Sequence, residues 1–382
     1  MVTLLHGEAM IIDFVHHRAL QDRRPTCVVV PDATRPQIYL HALRDLLVAL
    51  ADQGSPTTVL VALGLHRPMT EDELEPLRKT IQGLEISLIQ HDATGDLIDR
   101  SFVDGRPVAL HRAVVEAERV ICVGTVEPHQ YAGYSGGIKA VAIGCAGAQT
   151  ISAMHGLELL RDPRTTLGRA AGNPFQETLW RIADLPNVLG LQFVPGTNKI
   201  FFGELREAFK KACKVARETF FIELNAPLDW LHLPVPTVKA ANFYQASRAA
   251  TYAALVDDAA LRRGGLIVVE AACPEGLGTG RGERACAQAM RRGASTLLDE
   301  LDSDETVQIS GGQQRAYVLA RATHYCTIAL VGAPPIDVLE PMGIAQYDSV
   351  DEALADSHVD GQRGLRLDNI FQSIPRLSRP TD

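Results

Sequence analysis

Cysteine is scarce here and shows no ligand spacing: Cys27, Cys122, Cys145, Cys213, Cys273, Cys286 and Cys326 are odd in number, far apart and free of any C-x-x-C pair. A disulfide framework and a cysteine zinc site are both unexpected on that spacing. The thiols read as reduced and mostly buried. Long apolar runs are also missing, since none reaches the ~18 residues a membrane-spanning helix needs. The opening MVTLLHGEAMIIDFV carries no basic n-region or cleavage signature, so the expectation is a cytoplasmic chain with no membrane partner. Clustered basic charge is absent as well. Lys and Arg are scattered, and a net charge of -9 with a pI near 5.8 leaves no electrostatic footprint for nucleic acid. There is no tandem repeat or low-complexity tract. Small-molecule chemistry is what these absences leave.

What is present describes an ordinary globular protein, with 46% apolar and 22% charged residues. A length of 382 residues exceeds one usual hydrophobic core and favours two domains. In the first half, β-branched runs at Cys27–Val30, Thr57–Leu63, Glu85–Gln90 and Arg119–Val123 alternate with helical patterns. That alternation predicts a mostly parallel, Rossmann-like sheet. Thr70-Glu71-Asp72-Glu73 is a capping box, with Leu74, Leu77 and Ile81 marking the buried face of the helix it opens. Leu205–Phe220 reads as an amphipathic helix. The segment Asn225–Pro236, with its three prolines and Trp230, reads as the crossing between domains. Beyond it a second α/β pattern follows: strand at Gly265–Ala271, helices at Glu283–Leu301 and Gln313–Tyr325, strand at Cys326–Val331. The expected architecture is therefore two α/β domains, 1–225 and a smaller 226–365, with the active site in the cleft between them. A tail, 366–382, is expected to return toward the first domain.

Three polar clusters follow predicted strands directly: Asp32-Ala33-Thr34-Arg35-Pro36, Gly64-Leu65-His66-Arg67-Pro68 and Glu127-Pro128-His129. Carboxyl ends of parallel strands share one edge of a sheet, where open α/β folds bind ligands. Any one cluster alone has a structural reading, because Asp32-x-Thr34 can cap a helix beginning near Pro36. The run from Glu127 to Lys139 is rich in glycine, and Ser135, Gly136 and Gly137 could seat a phosphate on their amides or simply form a turn. Histidine titrates near neutrality, so His66 and His129 suit a paired acid and base, and His155 a metal ligand. The other histidines have no comparable setting.

These residues taken together resemble the lactate racemase family, whose enzymes depend on a nickel-pincer nucleotide. Asp32-x-Thr-Arg-Pro, His66-Arg-Pro, Pro128-His129-x-x-Ala-Gly-x-Ser-Gly-Gly-x-Lys139 and Thr150-Ile with His155 occur in the family's order. Tyr244-Gln245-Ala-Ser-Arg248 is similar to a family segment that binds substrate. The resemblance implies a pyridinium mononucleotide joined through a thioamide to Lys139, nickel held by its sulfurs and ring carbon, and His155 as the remaining ligand. Such a near-planar donor set suits nickel. It implies cofactor contacts from Asp32, Thr34 and the Ser135, Gly136, Gly137 loop, and a partnership with the enzymes that make the cofactor. It further implies that His66 and His129 take and return the hydroxyl proton of a 2-hydroxy acid while hydride leaves the same carbon, so that C2 is inverted. Arg35 and Arg248 would hold the substrate carboxylate. Tyr131, Tyr244, Gln245 and Gln314 complete the implied substrate pocket. The sequence has Tyr131 where lactate racemase has Phe, Arg248 where it has Lys, and no tryptophan at Gln313-Gln314, which implies a substrate larger or more polar than lactate.

Other chemistries compete. Gly276-Leu-Gly278-Thr-Gly280 follows a strand and suggests a nicotinamide dehydrogenase, although the third glycine is out of register and Pro274 intrudes. His66, His129 and His155 could instead bind catalytic zinc. A binding protein without chemistry is the third reading.

Overall fold

Runs of Val, Ile and Leu closed by polar turns form the strands, and helices with one apolar stripe cover them. A computed structural model of the chain describes residues 3–4, 17–303, 309, 311–358 and 362–378. His6, His16 and the last four residues of the tail lie outside these. The chain divides into two compact units, Met1–Met154 with Ala170–Thr219, and His155–Arg169 with Phe220–Asp382.

In the first unit a seven-stranded sheet is built from β1 (Thr3–Leu4), β2 (Thr26–Pro31), β3 (Thr57–Ala62), β4 (Ile86–Gln90), β5 (Arg119–Thr125), β6 (Val188–Phe193) and β7 (Ile200–Glu204). The strand order is β1-β7-β6-β5-β2-β3-β4. From β6 to β4 every pair is parallel, while β7 and β1 add antiparallel pairs at the far edge. Alternate residues Val28 and Val30, Val59 and Val61, and Ile121 and Val123 point into one core with Leu43, Leu46, Leu47 and Leu50 of helix α1 (Leu40–Asp52). Each such leucine contributes about 1.5–3 kcal/mol by leaving water. Helix α2 (Glu71–Ile81) starts at the capping box as read, with the Thr70 hydroxyl accepting from the Glu73 amide. The first unit also holds α3 (Lys139–Ala142), α4 (Ala148–Met154), α5 (Pro174–Ile182) and α6 (Leu205–Phe220), the last ending at the boundary between units.

The second unit carries a five-stranded, all-parallel sheet of β8 (Leu228–Pro234), β9 (Leu261–Glu270), β10 (Thr327–Val331), β11 (Ile344–Tyr347) and β12 (Gly364–Arg366), in the order β11-β10-β9-β8-β12. Its helices include α7 (Phe243–Ala246), α8 (Arg248–Ala254), α9 (Arg281–Met290), α10 (Ala294–Ser303) and α11 (Gln313–Tyr325). The expected α/β class, with parallel sheets in two units, is what the chain forms.

Several local expectations need correcting. The proline-rich stretch Asn225–Pro236 is not a linker: it contains β8, which pairs on both sides, with Pro227 just before the strand and Pro234 as its last residue. Proline is tolerated at strand ends because a missing N–H costs least there. The unit boundary falls earlier, after Thr219, and His155–Arg169 groups with the second unit. The expected helix Glu283–Leu301 is two helices, α9 and α10, separated at Gly293, whose φ of 83° no right-handed helix contains. In the tail, Ile374–Leu377 pairs in parallel with Phe221–Leu224 inside the second unit. All seven cysteines are buried and unoxidised, and burial pushes the Cys27 and Cys286 thiols up to about 12. No described helix is long and apolar enough to cross a membrane.

Candidate active site

Strands β3, β2 and β5 are consecutive in the first sheet. The chain runs outward from β2 to β3 and β4, then returns to β5 on the other side of β2, which makes a topological switch point between β2 and β5. Each polar cluster leaves the carboxyl end of one of these strands: Asp32 follows β2, His66 follows β3, and Glu127 and His129 follow β5.

Asp32 and His66 meet directly, Nδ1 of the ring lying 2.6 Å from Oδ2. The other carboxylate oxygen, Oδ1, accepts from the Thr34 amide at 3.1 Å and the Thr34 hydroxyl at 2.5 Å. Burial works against the charge on Asp32, but the hydrogen bonds from His66 and Thr34 outweigh it and hold the carboxyl below its ordinary range. Asp32 is 8% exposed by side chain whereas His66 is 61% exposed, so the carboxylate anchors the inner edge of a ring whose outer edge stays accessible. The resemblance assigns Asp32 and Thr34 to the cofactor; in the structure one Asp32 oxygen meets His66 and the other is held by Thr34.

Arg35 makes a 2.5 Å ion pair with Glu127, joining the turns after β2 and β5. His129 closes a two-residue ladder, Pro128–His129 against Gly133–Tyr134. Its Nδ1 accepts from the amides of Tyr131 at 3.3 Å and Ala132 at 3.2 Å. Tyr131 is buried, with its ring edge-on to His129 at 5.9 Å between centroids. Its carbonyl accepts from Asn173 Nδ2 at 2.8 Å, and the same asparagine caps α5 by accepting from the Gln176 amide. The turn carrying His129 is thereby tied to a helix start.

The glycine loop has a structural explanation. The Ser135 hydroxyl accepts from the Glu127 amide at 3.1 Å and donates to the Thr125 carbonyl at 2.8 Å. The Gly137 amide donates to Gln192 Oε1 at 2.8 Å, and Gln192 Nε2 donates to the Cys122 carbonyl at 2.7 Å. Gly136 and Gly137 have φ of 75° and 56°, and a Cβ on Gly137 would lie 2.7 Å from the Phe209 ring. The Ser135 hydroxyl and the Gly137 amide therefore have protein partners. The loop delivers Lys139, half-buried, at the first position of α3. Gln192 escaped the sequence reading, although a glutamine inside the apolar strand Val188–Phe193 is itself a signal. So is Asn173-Pro174, a cap followed by proline at the first helical position.

In the second unit, His155 stands between α4 and the short helix Leu157–Arg161. Tyr244 and Gln245 lie on α7, where Asn242 caps the helix by accepting from the Gln245 amide at 3.1 Å. Arg248 opens α8. Arg315, not singled out from sequence, lies 5.3 Å from the Tyr244 ring centre and is 5% exposed. Gln314 Oε1 accepts from the Gly312 amide at 2.6 Å, committing that oxygen to the start of α11. The Gly276–Gly280 turn leads into α9, where Glu283 Oε2 accepts from the Gly280 amide at 2.5 Å. A carboxylate thus sits on the helix end that would receive a dinucleotide's diphosphate, and like charge opposes that use. Among the described residues no three His, Cys, Asp or Glu side chains group to hold a metal, so the three-histidine zinc reading is not carried further.

Residues 15–168 match the family described as the lactate racemase N-terminal domain. The lactate racemase of Thermoanaerobacterium thermosaccharolyticum is 26% identical over 282 residues, which is 68% of this chain and 64% of that protein, just under two thirds of its length. The lactate racemase of Lactiplantibacillus plantarum is 25% identical over 360 residues, 88% of this chain and 80% of that protein. Two solved structures share the fold. The lactate racemase apoprotein from T. thermosaccharolyticum has a TM-score of 0.77 at 22% identity, covering 94% of this chain and 88% of that one. A Thermotoga maritima protein has 0.65 at 15% identity, covering 94% and 95%. With the motifs at the switch point, residues 15–168 match the lactate racemase N-terminal domain, and the chain is similar in sequence to lactate racemases and in fold to the lactate racemase apoprotein.

Proposed function

We propose that this protein inverts the C2 centre of a 2-hydroxy acid other than lactate, as a racemase or epimerase using a nickel-pincer nucleotide on Lys139. The observation that carries the reading is the His66–Asp32 pair at the switch point: a carboxylate fixes one ring nitrogen and leaves the other to take a hydroxyl proton. The lactate racemases among its relatives support the reaction class.

The residues fit the cofactor in their donor chemistry. Lys139 offers an amine for attachment and His155 a single imidazole, while no larger protein donor group exists among the described residues. Such a set suits a metal whose sulfur and carbon donors arrive with the cofactor. Phosphate contacts would come from groups other than the Ser135 hydroxyl and the Gly137 amide, which already have protein partners. When bound, the cofactor supplies an acceptor for the hydride of the carbinol carbon.

The chain's own part is positioning and proton transfer. Arg35 meets the substrate carboxylate while its ion pair with Glu127 fixes the guanidinium. His66 takes the hydroxyl proton, with His129 as its partner. Tyr131 of the first unit, and Tyr244, Gln245, Arg248 and Gln314 of the second, offer hydroxyl, amide and guanidinium groups, a chemistry that favours a dicarboxylic or sugar-type hydroxy acid.

The test is a chiral-chromatography screen of 2-hydroxy acids, using protein produced with the cofactor-making enzymes and shown to be loaded. A dicarboxylic or sugar acid inverted faster than lactate, with at least a ~100-fold loss in His66→Gln, supports the reading. Lactate as the fastest substrate removes the specificity claim. Inversion of no hydroxy acid by loaded protein removes the racemase claim.

A further inference from the structure

The hydrogen-bond partners of the two histidines differ in kind. The partner of His66 Nδ1 is a carboxylate, which when ionised only accepts, so this nitrogen carries the proton and Nε2 carries the lone pair. The partners of His129 Nδ1 are two backbone amides, of Tyr131 and Ala132, which only donate. That nitrogen must offer its lone pair, and the neutral ring then carries its proton on Nε2. Ring protons follow from partners in this way.

We infer that His66 and His129 are held in opposite tautomers, so that Nε2 is a base on His66 and a hydrogen-bond donor on His129. The inference rests on the racemase reading for its functional meaning, but the tautomers stand on geometry alone. The two-base scheme treats the histidines as equivalent. Here they are not. In the direction that starts at His66, the substrate O–H bond breaks, its proton forms the Nε2–H bond of that ring, and the carbinol C–H bond gives up its electron pair as hydride. His129 meets this reaction by donating Nε2–H to the substrate oxygen as it becomes a carbonyl. For His129 to take a proton instead, Nδ1 must first gain hydrogen and turn from the Tyr131 and Ala132 amides. The enantiomer whose hydroxyl faces His66 therefore reaches the keto acid from the resting arrangement, whereas proton exchange between His129 and the oxygen of the opposite enantiomer, in either direction, passes through the rearranged His129 turn with hydrogen on Nδ1. The overall equilibrium constant fixes the ratio of kcat/KM values for the two enantiomers, so that ratio cannot reveal the asymmetry. The rings themselves can.

The supports of each ring are separate. Asp32 is locked by Thr34, and the Tyr131 turn is locked by Asn173 through the Tyr131 carbonyl. Asp32 is thus a positioning residue, acting on the substrate only through His66.

The experiment uses the full chain without cofactor, labelled with nitrogen-15 histidine, and records two-bond proton–nitrogen correlations at a pH where the rings are neutral. His66→Gln and His129→Gln identify their signals among the 12 histidines. The expected spectrum has a protonated Nδ1 for His66 and a protonated Nε2 for His129. Asp32→Ala should move His66 toward the Nε2–H form and leave the His129 pattern unchanged. Both rings in one tautomer, read from the unaltered protein, would overturn the inference whether or not Asp32→Ala folds. A His66 pattern indifferent to a folded Asp32→Ala would overturn the role given to Asp32. Because the spectrum needs no turnover, failure of the tautomer assignment and failure of the racemase reading are separately visible.

Discussion

Burial drives the His91 imidazole down to about 4, partly opposed by the hydrogen bond to the Ala146 carbonyl and deepened by His111, whose ring centre is 5.6 Å away. Asp92 pulls weakly the other way. The folded ring thus stays neutral between an ordinary histidine value near 6.5 and about 4, while the unfolded chain binds a proton across the same window. The unfolded state holds more protons there, so stability is complete above that window and falls as the pH drops through it. Thermal unfolding followed from about pH 8 to about pH 4 should show this decline, and His91→Gln should flatten it. An unchanged slope in that variant would assign the acid sensitivity elsewhere. Arg35→Lys tests a different residue. Losing the planar fork should lower kcat/KM of the loaded enzyme by about 10–100-fold, roughly 1–3 kcal/mol. A change within about twofold would deny Arg35 a part in carboxylate binding.

At the scale of elements, the glycine loop and β6 behave as one piece. Gly137→Ala places a methyl group against the Phe209 ring at a backbone angle that suits glycine, and should cost about 2 kcal/mol or more. For a unit of this size the thermal midpoint should fall by roughly 4–8 °C. Gln192→Ala leaves the Gly137 amide and Cys122 carbonyl without that side chain and should cost about 2–4 kcal/mol in the same assay. A midpoint unchanged in both variants would show that the loop is not held this way. The parallel strands were readable because Val28–Val30, Val59–Val61 and Ile121–Val123 are apolar on both faces, as strands covered on both sides must be. The antiparallel hairpin of Leu97–Val103 and Arg106–His111 was not foreseen, because the first strand is partly exposed and of mixed polarity, and charged Arg106 and polar His111 stand among the buried positions of the second. Gly293 was visible but read through, since one glycine inside a helical pattern is usually tolerated. The candidate site was legible as a set of residue types at strand ends. Which of them touch was not: the resemblance implied cofactor contacts for Asp32 and Thr34, and only the geometry revealed that Asp32 meets His66 while Thr34 holds Asp32.

Across the whole molecule, the chain gives the expected residues to two units, the first built on a mostly parallel sheet and the second on an all-parallel one. The first holds His66, His129, Arg35 and Lys139; the second holds His155, Tyr244, Gln245 and Arg248. Sequence composition pointed toward small-molecule chemistry at this scale, because charge is scattered and the cysteines lack ligand spacing. Domain limits were less legible, since the prolines near β8 mark strand ends and resemble a linker only in composition. The central claim is that Lys139 carries a nickel-pincer nucleotide. Its most direct test is intact-protein mass with nickel content after coexpression with the cofactor-making enzymes, comparing the unaltered chain with Lys139→Ala and with a lactate racemase as loading control. An added mononucleotide mass with roughly equimolar nickel, absent from the variant, is the expected result. Neither mass nor nickel on this chain, while the control is loaded, would contradict the account.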